Sequence, residues 1–518
     1  MLGNITAFGL GSLILGLQFW GNSPGNKSSK TQATVDVDLR SLLTDTARQW
    51  SYNTTVLFPD SPEFATATER WTVFRPPTYR AAIRPGTPED ISKIVKLASS
   101  YKIPFLTRGA GHSYSITLAD FQNGLALDLS QFKTIDIDVD SETLTVGPGV
   151  TFNDIFDPLY QAGFQLQTGT CSCPSLIGVT LGGGVGRLQG KHGLVLDALL
   201  SVRMITADGE HIEVSRNSHP DLFWGIRGAG ANFGVVTSAT YKVHRLIDRG
   251  EYLHVDFYFP AEKSYEYFKI IESLNENLPA NLATIVLVNW NSTTNQIQVG
   301  GNWVYFGPKD EGMKLLKPVF DLQPISSVVS TVPWSKLLAT TGGNYDDLVC
   351  LGNTTRDLYS LNQKTYSASG FQRGFDKMAR FFADYPGGRN SALVFEIFPN
   401  QASAAVPEDM TAFAWRDATG YMQASFRIAH LVWDHGDTTT AKAANKLGLD
   451  VREELAHTSG YDKPSVFPNY ARGDEGLENI YGSKKLPRLV RLKRAWDPNN
   501  LFAFNLPLPL KYSHEKEL

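Results

Sequence analysis

Residues 107–114 read TRGAGHSY, and they follow Lys102–Thr107, a segment that predicts a short strand. Glycine tolerates positive φ and lets the backbone come close to a ligand, so the N–H groups of such a loop can surround an anionic group. A glycine run by itself is more often a tight turn than a cofactor loop. Residues 107–114 therefore indicate a cofactor loop only in combination with other glycine clusters in the chain.

Two further glycine clusters lie in the first half of the chain. Residues 169–186 read GTCSCPSLIGVTLGGGVG, and residues 221–237 read DLFWGIRGAGANFGVVT. Gly182–Gly186 contains part of a dinucleotide fingerprint, but it lacks the strand–turn–helix context near the chain start that a Rossmann domain shows. Three such loops in one region indicate a large, extended, phosphate-bearing ligand.

The elements predicted around these loops alternate between helices and strands, which favours an α/β or α+β core. Thr87–Asp90 predicts a capped helix start with proline at the first position. Asp208-Gly209 predicts a hairpin with a type I′ turn. Beyond residue 250, strand-like segments with aromatic residues, such as Gln296–Tyr305, predict an antiparallel sheet accompanied by helices.

Composition excludes several classes of protein. The 518 residues are 42% hydrophobic and 19% charged, so the chain can bury sizeable cores and is not disordered. Lys and Arg number 48 against 52 Asp and Glu, a net charge of −4, which leaves no basic footprint for nucleic acid. The ten histidines show no metal-ligand spacing, and no Gly-x-Ser-x-Gly nucleophile elbow occurs.

Three cysteines, Cys171, Cys173 and Cys350, are too few for a disulfide framework. Cys171 and Cys173 are only two residues apart, which indicates a chemical role for this segment. Cys350 is interpreted as a buried or free thiol without a role.

Residues 1–26 carry no charged side chain and include the apolar run Ile5–Trp20. The run is short for a membrane span, so we expect residues 1–21 to be a signal peptide, with a weak membrane anchor as the alternative. Five Asn-x-Ser/Thr sequons agree with a secreted or secretory-pathway protein: Asn4, Asn26, Asn53, Asn291 and Asn353. The last residues, 514–518, faintly resemble an ER-retention signal.

The order and spacing of these segments resemble the flavoproteins that share the FAD-binding fold of vanillyl-alcohol oxidase and p-cresol methylhydroxylase (PCMH). Within that group the chain is similar to the berberine-bridge-enzyme-like (BBE-like) oxidoreductases, particularly their fungal branch. The resemblance spans roughly residues 60–505. The matching segments are Arg108–Ser113, Gly182–Gly186, Asp221–Gly230, Asn232–Thr237, Phe467–Tyr470 and Trp496–Phe502.

The resemblance implies an α+β fold with a PCMH-type FAD-binding domain of two subdomains at residues 45–250. A substrate domain with an antiparallel sheet covered by helices is expected at residues 251–463. Residues 464–510 are expected to return to the FAD domain and to bring Asn469 and Tyr470 to the flavin ring.

The implied cofactor is FAD, joined covalently through its 8α-methyl group to His112. The alternative role for His112 is that of a loop histidine that only forms a hydrogen bond. A second bond, to flavin C6, is possible from Cys171 by spacing or from Cys173 by the local letters. Attachment through His112 alone, with both thiols as small packing residues, is the alternative. The further residues expected to bind FAD are Arg108, Gly109, Ala110, Gly111, Ser113, Gly178, Gly182, Gly183, Gly184, Gly186, Gly230, Gly234, Val235, Val236 and Asn469.

On the reacting side, Tyr470 is the leading candidate for the base, because positive charge near the flavin could lower the pKa of its phenol. A core tyrosine with a satisfied hydroxyl is the alternative. Gln423 falls where several relatives carry a glutamate, and a glutamine cannot accept the proton. Glu396 is the alternative base.

The implied reaction transfers a hydride from a substrate carbon to flavin N5, and dioxygen then reoxidises the flavin and gives hydrogen peroxide. The expected substrate is a secondary-metabolite-type alcohol, amine or activated C–H compound. An oligosaccharide oxidase is the runner-up, and a flavin-fold binding protein with little catalysis is the alternative of another class. Expected partners are a small-molecule substrate and dioxygen, without nucleic acid or metal, and the chain is expected to be a monomer.

Overall fold

The structure, a computed structural model, describes residues 37–343, 345–427 and 438–512. The predicted leader at residues 1–21, the sequons at Asn4 and Asn26, and the C-terminal tail lie outside this range. None of the described helices is long and apolar enough to cross a membrane.

The described strands are β1 Thr55–Leu57, β2 Tyr79–Arg84, β3 Phe105–Arg108, β4 Gly124–Asp128, β5 Ile135–Asp138, β6 Thr143–Val146, β7 Phe164–Gln165, β8 Leu199–Ile205, β9 His211–Ser215, β10 Val235–Lys242, β11 His244–Arg245, β12 Glu251–Pro260, β13 Leu282–Asn291, β14 Gln296–Tyr305, β15 Ser326–Pro333, β16 Arg356–Gln363, β17 Ala392–Ile397 and β18 Gly420–Arg427.

The described α-helices are α1 Leu39–Thr44, α2 Phe64–Ala67, α3 Pro88–Tyr101, α4 Phe152–Gln161, α5 Leu176–Gly182, α6 Gln189–His192, α7 Pro220–Ala229, α8 Ser264–Ser273, α9 Lys309–Leu315, α10 Lys317–Asp321, α11 Leu337–Thr340, α12 Tyr345–Val349, α13 Ala368–Asp384, α14 Gln401–Ala404, α15 Thr438–Ala456, α16 Leu477–Tyr481 and α17 Leu486–Trp496.

The first sheet has the strand order β1-β2-β4-β3, with β4 parallel to both of its neighbours. Helix α3 begins where the sequence predicts: the Thr87 side chain accepts the Asp90 N–H, and Pro88 is the first helical residue. The carboxyl end of β3 leads directly into the glycine loop at Gly109. Strand order and helix packing therefore place that loop at one edge of the sheet.

The second sheet has the order β5-β6-β10-β8-β9 and is antiparallel throughout. Strands β8 and β9 form the predicted hairpin, but the predicted type I′ turn is wrong. Only Gly209 has positive φ, +74°, and its N–H donates to Thr206 O at 3.0 Å. A type I′ turn needs two residues with positive φ, and Asp208 avoids that strain because five residues make the connection.

The third large sheet is antiparallel, with the order β15-β12-β14-β13-β17-β18-β16. Successive side chains on a strand face opposite sides, so each strand contributes to two environments. One face carries large apolar residues such as Phe257, Phe395 and Met422, which are buried in a cluster with residues of α8, α13 and α15. The opposite face is left to roof a cavity. The predicted domain boundary near residue 250 falls between β11 and β12.

After α15 the chain packs back against the first half. Lys493 of α17 donates from Nζ to Asn232 O at 3.1 Å, and Leu508 N donates to Asn232 Oδ1 at 2.8 Å. A separate contact, from Gly184 N to Asn469 Oδ1 at 3.2 Å, holds Phe467–Tyr470 beside the glycine loop that ends α5.

Candidate active site

A cavity of about 450 Å³ lies between the glycine loops and the open face of the seven-stranded sheet. Its floor is formed by Arg108–Tyr114 and by parts of 169–187 and 228–236, which belong to or adjoin the three glycine clusters of the sequence. Its roof comes from alternate residues of the strands, including Ile285, Leu287, Val394, Glu396 and Gln423. The alternation of the strands thus directs these side chains to one space.

His112 lies in the floor of the cavity. Its ring stacks on Trp71 with 4.4 Å between the ring centroids and 19° between the ring planes. Burial, and the positive charges of Arg356 and Arg70, lower the pKa of His112 to about 3. The imidazole is therefore neutral at physiological pH, the form that is a nucleophile.

The cysteines correct two predictions. Cys173 and Cys350 form a disulfide, so Cys350 is not a free thiol and Cys173 is not available for flavin C6. Cys171 is the free cysteine, and burial raises the pKa of its thiol well above the ordinary value. The prediction failed because 177 residues separate the two bonded cysteines, and no local pattern connects them.

Nitrogen or sulfur atoms of His112, Cys171 and Cys173 lie within 4.8 Å of one another. Cys173 Sγ is used in the disulfide, so two of these groups, the imidazole and the Cys171 thiol, keep a free lone pair or proton. They face the cavity together, which suits the two attachment positions expected on a flavin.

Asn469 lies against the loop that ends α5. Its Oδ1 accepts the Gly184 N–H at 3.2 Å, and a Cβ on Gly182 would come within 2.6 Å of the Asn469 side chain. Gly184 also has φ of +80°. Glycine is required here because loop and asparagine share a space that a side chain would fill.

Most of the residues predicted to bind FAD line the cavity, but Cys173, Gly183 and Gly186 do not. A Cβ on Gly183 would meet the Phe413 ring at 2.7 Å, and one on Gly186 would meet Thr168 O at 1.9 Å. These two glycines therefore serve packing around the loop.

The side chain of Arg108 has a structural role. Its Nη1 donates to Asp128 Oδ1 at 2.9 Å, and Arg84 Nε donates to the other oxygen at 2.7 Å. Asp128 is fully buried, and the two arginines pair with its two carboxylate oxygens. The guanidinium thus fixes the end of β3, and the backbone beyond it faces the cavity.

Glu396 and Tyr470 meet over the cavity. Tyr470 Oη donates to Glu396 Oε2 at 2.8 Å, and Thr170 Oγ1 donates to Oε1 at 2.6 Å. Burial raises the pKa of Glu396, against these hydrogen bonds and the charge of Arg187. Burial and the neighbouring Glu396 raise the pKa of Tyr470 far above its ordinary range, so the expected lowering of that pKa is wrong.

Gln423 lies on β18 opposite Val394, two pairs along from Glu396, so both side chains are on the same face of the sheet. Its amide is close enough to the Glu396 carboxyl to lower the pKa of that group, although less than burial raises it. The family resemblance implies a glutamate at the position of Gln423 in several relatives. In this chain the neighbouring strand supplies a carboxylate to the same space.

Sequence reasoning missed Arg187, Asp256 and Asn302, which also line the cavity. Arg187 directly follows the glycine loop, and a charged residue there is a signal that could have been noticed. Asp256 and Asn302 are paired across β12 and β14, and only the strand register brings them to the roof.

The residues present fit FAD. The floor consists largely of glycine backbone, which leaves space and N–H donors for phosphates, and a neutral imidazole and a thiol face the same space.

Two family models match the chain: "FAD binding domain" over residues 79–215 and "Berberine and berberine like" over residues 466–509. FAD-linked oxidoreductase fogF of Aspergillus ruber is 45% identical over 484 residues, which cover 93% of this chain and 96% of that protein.

Solved structures share the fold. BBE-like 1 of Physcomitrella patens has a TM-score of 0.77 at 23% identity, and the match covers 89% of this chain and 98% of the other. Glucooligosaccharide oxidase from Acremonium strictum, described with a 6-S-cysteinyl, 8α-N1-histidyl FAD, has a TM-score of 0.74 at 21% identity, with 88% and 97% covered. Both confirm the PCMH-type, two-part α+β architecture expected from the sequence.

Proposed function

The chain belongs to the BBE-like FAD-linked oxidoreductases, and from that premise we propose that it is an oxidase with Glu396 as its base. The substrate would be a secondary-metabolite-type alcohol, amine or activated C–H compound. Two hydrogens leave the substrate, and dioxygen takes them up as hydrogen peroxide. The observation that carries the proposal is the buried carboxyl of Glu396, held by Tyr470 and Thr170 over the cavity.

FAD, when bound, supplies the hydride acceptor at its N5. Gly109–Ser113, the α5 loop with Asn469, and Gly230–Val236 are the segments that would hold it. His112 would carry the covalent bond at the 8α-methyl group, and its neutral imidazole supports this assignment. Cys171 is the cysteine with a thiol left for a second bond.

Glu396 fits the role of base better than Tyr470. A base must be ionised before the reaction and must have a pKa near the working pH. A raised carboxyl pKa approaches that range, whereas a phenol whose pKa is raised further from neutrality stays protonated. Tyr470 therefore acts as a donor that orients the Glu396 carboxylate.

The roof favours an apolar or aromatic substrate. Ile285, Leu287, Val394 and Leu358 line it, and Tyr258 adds an aromatic face. Ligand sites with such walls bind apolar bodies and use a few polar groups for orientation. The oligosaccharide oxidase remains the second candidate, supported by the shared fold with glucooligosaccharide oxidase.

We also propose passage through the secretory pathway. The Cys173–Cys350 disulfide is typical of an oxidising compartment, and the sequon asparagines Asn53 and Asn353 are exposed. The free-thiol count of the denatured, unreduced protein tests the disulfide on which this proposal rests.

A peroxide-coupled screen of aromatic alcohols, amines and polyketide-like phenols against oligosaccharides tests the function. We expect peroxide with the first group. Peroxide formed only with oligosaccharides would assign the second candidate, and a protein without bound flavin would contradict both.

A further inference from the structure

Trp71 is a buried tryptophan in the wall of the cavity. It is 7% exposed, and its ring lies nearly parallel to the His112 imidazole, with 4.4 Å between the centroids. Arg356 contacts the same tryptophan, since its guanidinium carbon lies 4.2 Å from the ring centroid. Arg356, Trp71 and His112, all of which line the cavity, are called the tryptophan cluster below.

Hydrogen bonds hold Trp71 between the floor of the cavity and the end of α12. Its backbone N–H donates to Gly111 O at 3.1 Å, directly before His112 in the chain. Its indole Nε1 donates to Val349 O at 2.5 Å, and Arg356 Nη1 donates to the same carbonyl at 2.7 Å. The indole is therefore fixed from both sides.

Arg356 brings a buried positive charge to this cluster. It is 5% exposed, and in the described part of the chain both of its Nη atoms donate only to carbonyl oxygens. Carbonyl oxygens satisfy these N–H groups without cancelling the charge. Burial lowers the pKa of Arg356 to about 10, so the group stays cationic at neutral pH. A desolvated cation is attracted to an aromatic ring, so Arg356 helps to keep Trp71 in place.

The contacts of Trp71 limit the movement of the His112 imidazole. Trp71 stacks on the imidazole ring, and Cys173 Sγ of the disulfide lies 3.4 Å from its Nε2. Burial first, and then the charge of Arg356, lower the pKa of His112 and keep the ring neutral. A bond forms fastest when the reacting atom is already held in the right place and orientation.

We propose that Trp71 and Arg356 are positioning residues for flavin attachment, which hold the His112 imidazole in the orientation that bonds to the flavin 8α-carbon. The attachment replaces the imidazole N–H and one methyl C–H by a C–N bond. Dioxygen takes up the two protons and two electrons that are released and becomes hydrogen peroxide. The inference rests on the proposed function, because it takes FAD as bound in this cavity and His112 as its attachment point.

The covalently bound fraction of the flavin tests the tryptophan cluster without turnover. Purified full-length protein is incubated in air with excess FAD, freed of unbound FAD, and precipitated with acid at successive times. The wild type should keep nearly all of its bound flavin in the pellet. Arg356→Gln and Trp71→Leu should slow attachment by about tenfold or more, so that bound flavin appears in the supernatant. Arg356→Lys and Trp71→Phe, which keep the cation and the aromatic ring, should recover part of the rate.

Arg389→Gln is the matched control. Arg389 lies 4.0 Å from the ring centroid of Trp290, a contact of the same kind, and neither of these two residues lines the cavity. This variant should keep the wild-type covalent fraction. In Arg356→Gln and Trp71→Leu, the melting temperature and the total bound flavin should stay close to those of Arg389→Gln while the covalent fraction falls.

An unchanged covalent fraction in folded Arg356→Gln or Trp71→Leu protein overturns the proposal, and if one of these variants does not fold, the other decides. A fall that follows the melting temperature, and that Arg356→Lys and Trp71→Phe do not relieve, overturns it too, because the cluster then only stabilises the fold. Wild-type protein without covalent flavin also overturns it. Peroxide formed by noncovalently bound flavin in that protein would still support the proposed function, so the two failures are distinguishable.

Discussion

At the scale of single residues, the account depends on which group takes the proton from the substrate. The Glu396 carboxyl is buried and receives two hydroxyl hydrogen bonds, whereas the Tyr470 hydroxyl is the donor of one of them. This arrangement assigns the charge to the carboxylate. It also explains why a glutamine is tolerated at position 423.

Glu396→Gln removes the base while keeping the shape of the side chain. We expect kcat/KM to fall by about 10²–10⁴-fold. Wild-type kcat/KM should rise with pH through an apparent pKa above the ordinary 4.5, because the base works ionised and its pKa is raised. Steady-state kinetics from pH 4 to pH 9 measure both. A pH limb that persists in Glu396→Gln, with Glu408→Gln as the exposed control, would assign the base elsewhere.

The stability of Glu396→Gln tests the raised pKa of Glu396 independently of the kinetics. A raised folded-state pKa means that Glu396 favours folding fully below pH 4.5 and loses that contribution as pH rises through the folded pKa. Glutamine has no charge to desolvate. The melting temperature of Glu396→Gln should therefore increase relative to that of the wild type as pH rises. If Glu396→Gln instead becomes less stable than the wild type as pH rises, the substitution has damaged the packing.

At the scale of elements, the Cys173–Cys350 disulfide joins the loop before α5 to the end of α12. Asp346 of α12 reinforces the junction, since its carboxylate accepts the Ser172 N–H at 2.9 Å and the Ser172 hydroxyl at 2.5 Å. The disulfide and these hydrogen bonds therefore hold α12 against the segment of the cavity floor that carries Cys171.

Cys350→Ser should destabilise the protein by roughly 2–4 kcal/mol, because the disulfide closes a very long loop. Urea unfolding measures the loss, and a reducing agent should weaken the wild type but not the variant. Denatured, unreduced wild type should expose one thiol, or none if Cys171 is bonded to FAD. Three reactive thiols, or two if Cys171 is bonded to FAD, would show that the disulfide is absent from the native protein.

Many of the helices and strands could be predicted from the local sequence. Strand β14 spans Gln296–Tyr305, the range predicted from its composition, and α3 starts after the predicted cap. Contacts between distant segments could not be predicted. Glu396 and Tyr470 are 74 residues apart, and their meeting depends on the register of β17, since a slip of one residue would turn Glu396 to the other face.

At the scale of the whole molecule, one half supplies glycine backbone and the imidazole, and the other supplies a sheet whose open face carries the proposed base, Glu396. The resemblance predicted this division and most of the cavity floor. It could not predict that Arg187 donates to Asn302 and that Asn302 donates to Asp256, because buried polar partners are chosen by three-dimensional proximity and leave no periodic signal.

The central claim is that this cavity holds FAD on His112, and peptide mass analysis of the trypsin-digested native protein tests it most directly. Cleavage after Arg108 and Lys133 yields the peptide 109–133, which contains His112. We predict that this peptide carries the mass of FAD, and that His112→Ala abolishes the adduct whereas His211→Ala, at an exposed site, does not. An adduct that also includes peptide 134–187 would add the Cys171 bond. An unmodified peptide 109–133 from a flavin-containing preparation would contradict the account.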